Sequence, residues 1–265
     1  MIIYEHQAPT RRTSFPTLIV GFPGLRGQEE EHRIKQQLAY LREQGHNTLL
    51  IDYASIERKG DGKLLVCRPD MNAEDVGETI EHHAEDLNVK PSRIGVISNS
   101  MGTILATKYI MGLKPTDYPS AFASYSPLPG WRQFSTEPAR RHFETGQADL
   151  PVTSVEDASA GRKRVIAKES LQELATLDCL KELAARNPRI FSGMSALTIF
   201  GNRDTISSPE GMKQFHRLLG GTEEGLIEIY ANHDLLPFKE PPTEKVPDVN
   251  GLIYRFIEKR LPVAG

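Results

Sequence analysis

Residues 94–102 read Ile-Gly-Val-Ile-Ser-Asn-Ser-Met-Gly, an apolar strand that runs directly into Ser98-Asn99-Ser100-Met101-Gly102. Nothing else in the chain restricts its fold so closely. The motif departs at one position from the G-x-S-x-G pattern of a sharp strand-to-helix turn. In such a turn a serine hydroxyl is pushed out above a sheet, and neighbouring backbone packs against small flanking residues. Ser98 and Gly102 are both small. From Thr103 to Met111 the composition is helical, with Ile104, Leu105, Lys108 and Met111 at helical spacing. Strand, serine and helix follow each other without room for a loop.

A serine hydroxyl is a weak nucleophile until a base takes its proton and a third group orients that base. With this turn the partners are expected downstream in the order acid, then His. Ala196-Leu197-Thr198-Ile199-Phe200-Gly201 reads as a buried strand, and Asp204 follows in the loop at its carboxyl end. Asp204 is the candidate acid. Gly225 to Tyr230 reads as another strand, followed by Ala231-Asn232-His233-Asp234 and a Pro-rich stretch. Of the other histidines, His32, His82, His83 and His216 fall in helix-like stretches, and His6, His46 and His142 do not follow a core strand at its carboxyl end. His233 is therefore the candidate base.

A tetrahedral intermediate also needs donors for its oxyanion, and losing one typically costs about 10²- to 10³-fold in rate. The backbone N–H of Met101, the residue after the serine, is one candidate. Residues 16–24, Pro-Thr-Leu-Ile-Val-Gly-Phe-Pro-Gly, form a strand ending in a Gly-rich turn that can supply the other. Pro23 has no N–H, so Phe22 is the candidate, with Gly21 and Gly24 allowing close backbone approach.

With these residues in order, the chain resembles the α/β-hydrolase fold superfamily over residues 16–126 and 196–261. The resemblance implies Ser100 as nucleophile, Asp204 as acid, His233 as base, and Phe22 and Met101 as oxyanion donors. Many relatives carry His-Gly where this chain has Val20-Gly21, and Gly where it has Ser98. Neither departure removes a catalytic group. The implied fold class is α/β, a mostly parallel sheet with helices on both faces and an inserted cap.

The coarse reading alternates strand and helix, the pattern of a parallel sheet covered on both sides. A strand at 17–21 leads to a helix from about Glu29 to Gln44, stopped by Gly45, and then to a strand at 48–53. Residues 54–69, with Gly60-Asp61-Gly62, read as a loop bordering the site. A helix over 73–87, the nucleophile strand and a strand at 121–125 follow. With so few strands before the serine, the sheet is expected to lack the first antiparallel hairpin of larger relatives. The core domain is assigned to 1–126 and 196–265, and the cap to 127–195. Pro127, Pro129, Pro138 and Pro151 break the early part of that cap, and a helical stretch runs from Lys168 to Leu183. Trp131 and Phe134 are the candidate substrate-binding residues there, with Phe143 beside them. Aromatic residues in an insertion more often pack its own small core. The run Arg162-Lys163-Arg164 could bind an acidic group, though a short charge run is more often a solvated face.

Composition narrows the classes further. At 265 residues with 38% hydrophobic residues, the chain can bury one substantial core. A net charge of −3 offers no basic field for nucleic acid or an anionic membrane, so neither is an expected partner. Two cysteines do not make a disulfide framework. The amino terminus has no apolar signal core, and no apolar run reaches membrane-spanning length, so a cytoplasmic protein is expected. No His, Cys and carboxylate cluster has zinc spacing, His82-His83 reads as a solvated helix face, and no metal or cofactor is expected. A homodimer is compatible with the sequence. The expected chemistry is hydrolysis of a small-molecule carboxylic ester through an acyl-enzyme. The cap position and short core are most similar to cinnamoyl or feruloyl esterases and their acyl-transferring and peptidase cousins. Thioester or amide substrates, a lyase activity and a non-hydrolytic ligand-binding role are the alternatives.

Overall fold

The computed structural model describes residues 3–10, 15–25, 32–133, 140–141, 144–145, 148–151, 161–186, 191, 193–232, 235 and 247–263. The chain opens with β1 (Ile3–Gln7), β2 (Leu18–Phe22), α1 (His32–Glu43) and β3 (Asn47–Asp52), followed by β4 (Ala54–Lys59), β5 (Leu64–Pro69) and α2 (Ala73–Asp86). The strand before Ser100, β6 (Ile94–Asn99), leads into α3 (Gly102–Gly112), and β7 (Ala121–Tyr125) comes next. Beyond it lie β8 (Leu150–Pro151), β9 (Lys163–Ile166), α4 (Lys168–Thr176) and α5 (Cys179–Ala184). The chain closes with β10 (Ser195–Gly201), α6 (Pro209–Leu218), β11 (Leu226–Ile229) and α7 (Val249–Arg260).

The main sheet has the order β1-β3-β2-β6-β7-β10-β11. Every pairing in it is parallel except that of β1 with β3. Its central strands are apolar on both faces, as a sheet covered by helices on both sides requires. In β2, for example, Leu18, Val20 and Phe22 enter one core cluster and Ile19 the other. The first cluster takes Val76 and Ile80 of α2, Leu105 and Tyr109 of α3 and Phe215 of α6. The second takes Ile34, Leu38 and Leu41 of α1 and Ile253 and Ile257 of α7. Period-two strands thus sit between two layers of period-3.6 helices.

Local chemistry sets several boundaries. Asn72 caps α2, its side-chain oxygen accepting from the Glu74 and Asp75 N–H groups at 3.2 and 3.3 Å. Gly45, at φ 104°, ends α1 where the reading of the sequence placed the stop. The helix expected over 168–183 is two helices, because Asp178 accepts from Lys181 N at 3.1 Å and starts α5 afresh.

The sheets add one strand to the reading of the sequence and correct one segment of it. An antiparallel strand, β1, stands singly at the edge beside β3, and among the described residues it has no outer partner with which to form a hairpin. Its sequence, Ile-Tyr-Glu-His-Gln, lacks the apolar run that marks the inner strands. The segment 54–69 is not a loop but an antiparallel hairpin, β4 with β5. Gly60, Asp61 and Gly62 all take positive φ at its tip, a turn geometry that Gly and Asp tolerate. This hairpin enters a second sheet, β4-β5-β9-β8, in which β5 pairs in parallel with β9. Residues between 127 and 195 therefore share this layer with a hairpin nearly a hundred residues earlier in the chain.

Candidate active site

Ser100 lies between the end of β6 and the start of α3 with φ 47°, in the left-handed region that non-glycine residues rarely occupy. Met101 is already helical at φ −63° and ψ −27°. The reversal is tight because Gly102 packs against the loop after β2: a Cβ there would collide with the carbonyl oxygens of Phe22 and Pro23. Around the serine, Tyr125 O accepts from Asn99 Nδ2 at 3.1 Å and from Ser100 N at 3.4 Å. Ser100 O in turn accepts from Thr103 N and Leu128 N, both at 3.1 Å. Ser98 is buried, and its hydroxyl lies 3.2 Å from that of Thr103, so it links strand to helix as well as fitting a small site.

The proposed oxyanion donors flank the Gly102 contact. Met101 immediately precedes Gly102, and Phe22 ends β2, both buried. The Phe22 ring stacks on Tyr109 of α3 with centroids 6.3 Å apart. A methyl group on Gly24 would stand 3.2 Å from Ser100 Cβ, so the β2 loop runs directly beside the serine.

Asp204 is 7% exposed in the loop after β10. Its Oδ1 accepts from Ile206 N at 2.7 Å and Ser207 N at 2.8 Å, which fixes the carboxylate against its own turn. The loop after β11 crosses the end of β10: Arg203 N donates to Ala231 O at 3.1 Å, and a Cβ on Gly201 would come within 2.6 Å of Asn232 O. The chain just before position 233 is thereby laid against the loop that carries Asp204. His233 and Asp234 lie outside the described residues, while Leu235 N donates to Asn232 O at 3.0 Å.

Among the described residues the buried histidines, His46 and His216, are held by other groups. His216 joins α6 to β10, with Nδ1 3.0 Å from Thr198 Oγ1 and Nε2 2.8 Å from Thr222 O, and burial lowers its pKa. His46 sits 2.7 Å from Thr17 Oγ1, and burial, with the Arg93 charge, lowers its pKa to about 4. Trp131 opens the 3-10 turn Trp131–Gln133, which is tied to α6 through Ser208 N donating to Gln133 O at 2.8 Å. Phe134 and Phe143 lie outside the described residues. The Arg162-Lys163-Arg164 run is not one solvated face: Lys163 is exposed and Arg164 is buried, as the alternation of β9 dictates. That alternation was the available signal, and the charges masked it. Among the described residues no group of three or more His, Cys, Asp or Glu could hold a metal ion, and no helix is long and apolar enough to cross a membrane.

No family model matches the chain, and no curated protein matches it in sequence. Solved structures do match along nearly its whole length. DcsB in complex with its substrate analogue is 17% identical with a TM-score of 0.64, over 98% of this chain and 94% of that one. Est1E from Butyrivibrio proteoclasticus with ferulic acid bound is 14% identical with a TM-score of 0.59, over 97% and 93%. A soluble variant of the monoglyceride lipase from Saccharomyces cerevisiae is 13% identical with a TM-score of 0.66, over 100% and 92%. Likeness at this identity speaks for architecture, and together with the strand order and the strand-serine-helix turn it shows that the chain has the α/β-hydrolase fold.

Proposed function

We propose that this protein is a serine hydrolase that cleaves a carboxylic ester through an acyl-enzyme. Ser100 attacks the carbonyl while His233 takes its proton, returns it to the leaving alkoxide and then activates water for deacylation. Asp204 holds the imidazole in the accepting tautomer, and the N–H groups of Phe22 and Met101 receive the oxyanion. The observation that carries this reading is the left-handed backbone of Ser100, held at φ 47° between a strand end and a helix start. Such a conformation costs of the order of 1 kcal/mol or more, and it persists where surrounding structure enforces it, most often at functional sites. Supporting it are the fixed carboxylate of Asp204 and the course of the chain through Asn232 beside it. The structural neighbours include esterases and monoglyceride lipases, which favours an ester substrate.

In this reading residues 127–195 form a cap over a core of 1–126 and 196–265, and the β4–β5 hairpin serves the cap. Trp131 and Phe134 contribute to the acyl pocket, so the cap selects substrate and the core does the chemistry. Both cysteines are buried and unbridged, in keeping with action in the reducing cytoplasm.

The test is labelling by a fluorophosphonate combined with hydrolysis of p-nitrophenyl esters of increasing chain length. Wild-type protein should label at Ser100 and turn over, and Ser100→Ala should do neither while staying folded. Label on another serine, or unchanged labelling of Ser100→Ala, would overturn the assignment.

A further inference from the structure

The second sheet buries a cation next to the proposed oxyanion loop. Arg164 of β9 is 3% exposed. It shares a face with Ile166, and with Cys67, which stands opposite Ile166 in the β5–β9 pairing. Arg164 and Cys67 converge on one atom: Leu25 O accepts from Arg164 Nη1 at 3.3 Å and lies 4.0 Å from Cys67 Sγ. Leu25 directly follows Gly24, where a methyl group would stand 3.2 Å from Ser100 Cβ. Two residues before Gly24, Phe22 packs its carbonyl on Gly102.

Packing alone does not account for a guanidinium here. Burying a charge costs desolvation, and replacing buried ions by apolar groups is often neutral or stabilising. What arginine adds is a long, permanently charged donor, and its Nη1 reaches the Leu25 carbonyl. We infer that Arg164 is a positioning residue for the oxyanion hole. It clamps the Leu25 carbonyl, so that the loop after β2 presents the Phe22 N–H to the tetrahedral intermediate. The inference rests on the reading of Ser100 as nucleophile and Phe22 as oxyanion donor. It makes the second sheet part of the catalytic scaffold as well as part of a cap. A misplacement of about 1 Å in such a site costs about 10²-fold in rate.

The test measures kcat and KM for p-nitrophenyl acetate, the affinity for an alkyl trifluoromethyl ketone, and the melting temperature. The ketone forms a tetrahedral oxyanion on the serine and so reports on the hole directly. Arg164→Met should lower kcat by about 10- to 100-fold, with KM within about threefold, and should weaken the ketone by a factor similar to that in kcat/KM. Arg164→Lys, which keeps the charge but replaces the planar guanidinium, should show a smaller parallel loss, and it decides the matter if the Met variant does not fold. A lowered melting temperature with wild-type kcat per fluorophosphonate-labelled site and wild-type ketone affinity overturns the inference. Failure of the underlying reading looks different: the wild-type protein itself then takes no fluorophosphonate, and the inference falls with it.

Discussion

Gly102 is pressed against Pro23, at a position where even a methyl group would overlap the Pro23 carbonyl oxygen. The contact joins the start of α3 to the loop after β2, and Ser100 and Met101 lie immediately before it in the chain.

Gly102→Ala should therefore push the two segments apart and misplace both proposed oxyanion donors relative to Ser100. A loss of about 10²-fold or more in kcat is expected. Stability should fall as well, because backbone atoms rather than a flexible side chain must yield. Steady-state kinetics on the folded variant check this, and near wild-type kcat would show that the turn is not strained in the way described.

Ser98→Ala keeps the side chain small but removes the buried contact between the Ser98 and Thr103 hydroxyls. About 1 kcal/mol of stability should be lost, with most activity retained. Ser98→Val forces a β-branched group into the same turn and should lose activity, stability or both. Urea melts and ester hydrolysis on the pair separate the two effects. An inactive, stably folded Ser98→Ala would give the hydroxyl a part in the chemistry.

Asp204→Asn keeps shape but removes the charge proposed to support an imidazolium and would offer the imidazole a donor, favouring the wrong tautomer. A comparable change in a well-studied serine protease triad costs about 10⁴ in kcat. The loss should fall on kcat with little change in KM, and it should be much smaller in a protein already lacking His233, since such groups act as a unit. Asp234→Asn should be mild. If instead Asp234→Asn is crippled and Asp204→Asn works normally, the acid has been assigned to the wrong residue.

His46 makes stability depend on pH. Its folded pKa, lowered to about 4 by burial and by the Arg93 charge, lies below the ordinary value of 6.5, so between these the unfolded chain binds the extra proton. The contribution is fully present above pH 6.5 and is lost as pH falls through 6.5 towards 4, to a total of about 3 kcal/mol. His216, shifted in the same direction, adds to the slope. Urea denaturation at pH 8, 6, 5 and 4 should show a shallower decline for His46→Phe than for wild type, even though the variant is weaker at pH 8. Parallel declines would remove His46 from the account.

The strand-to-helix turn at Ser100 was legible in the sequence because it is local. An apolar strand, a serine between small residues and a helical run specify strand, reversal and helix within a few consecutive positions, and the structure places them there with Ser100 in the left-handed region. The place of Asp204, in the loop after a buried strand that ends at Gly201, was legible for the same reason. The alternation of inner strands with helices gave the layers. The strand order did not follow from any one segment, nor did β1, whose exposed Glu5 and His6 give an edge strand little apolar pattern to read. The second sheet was beyond the sequence altogether. Its β5–β9 ladder pairs residues 64–67 with 163–166 through backbone groups that every residue carries, so no side-chain pattern announces the partner. Only that pairing turns Arg164 inward to the Leu25 carbonyl and makes one member of a surface-like charge run a buried neighbour of the candidate site.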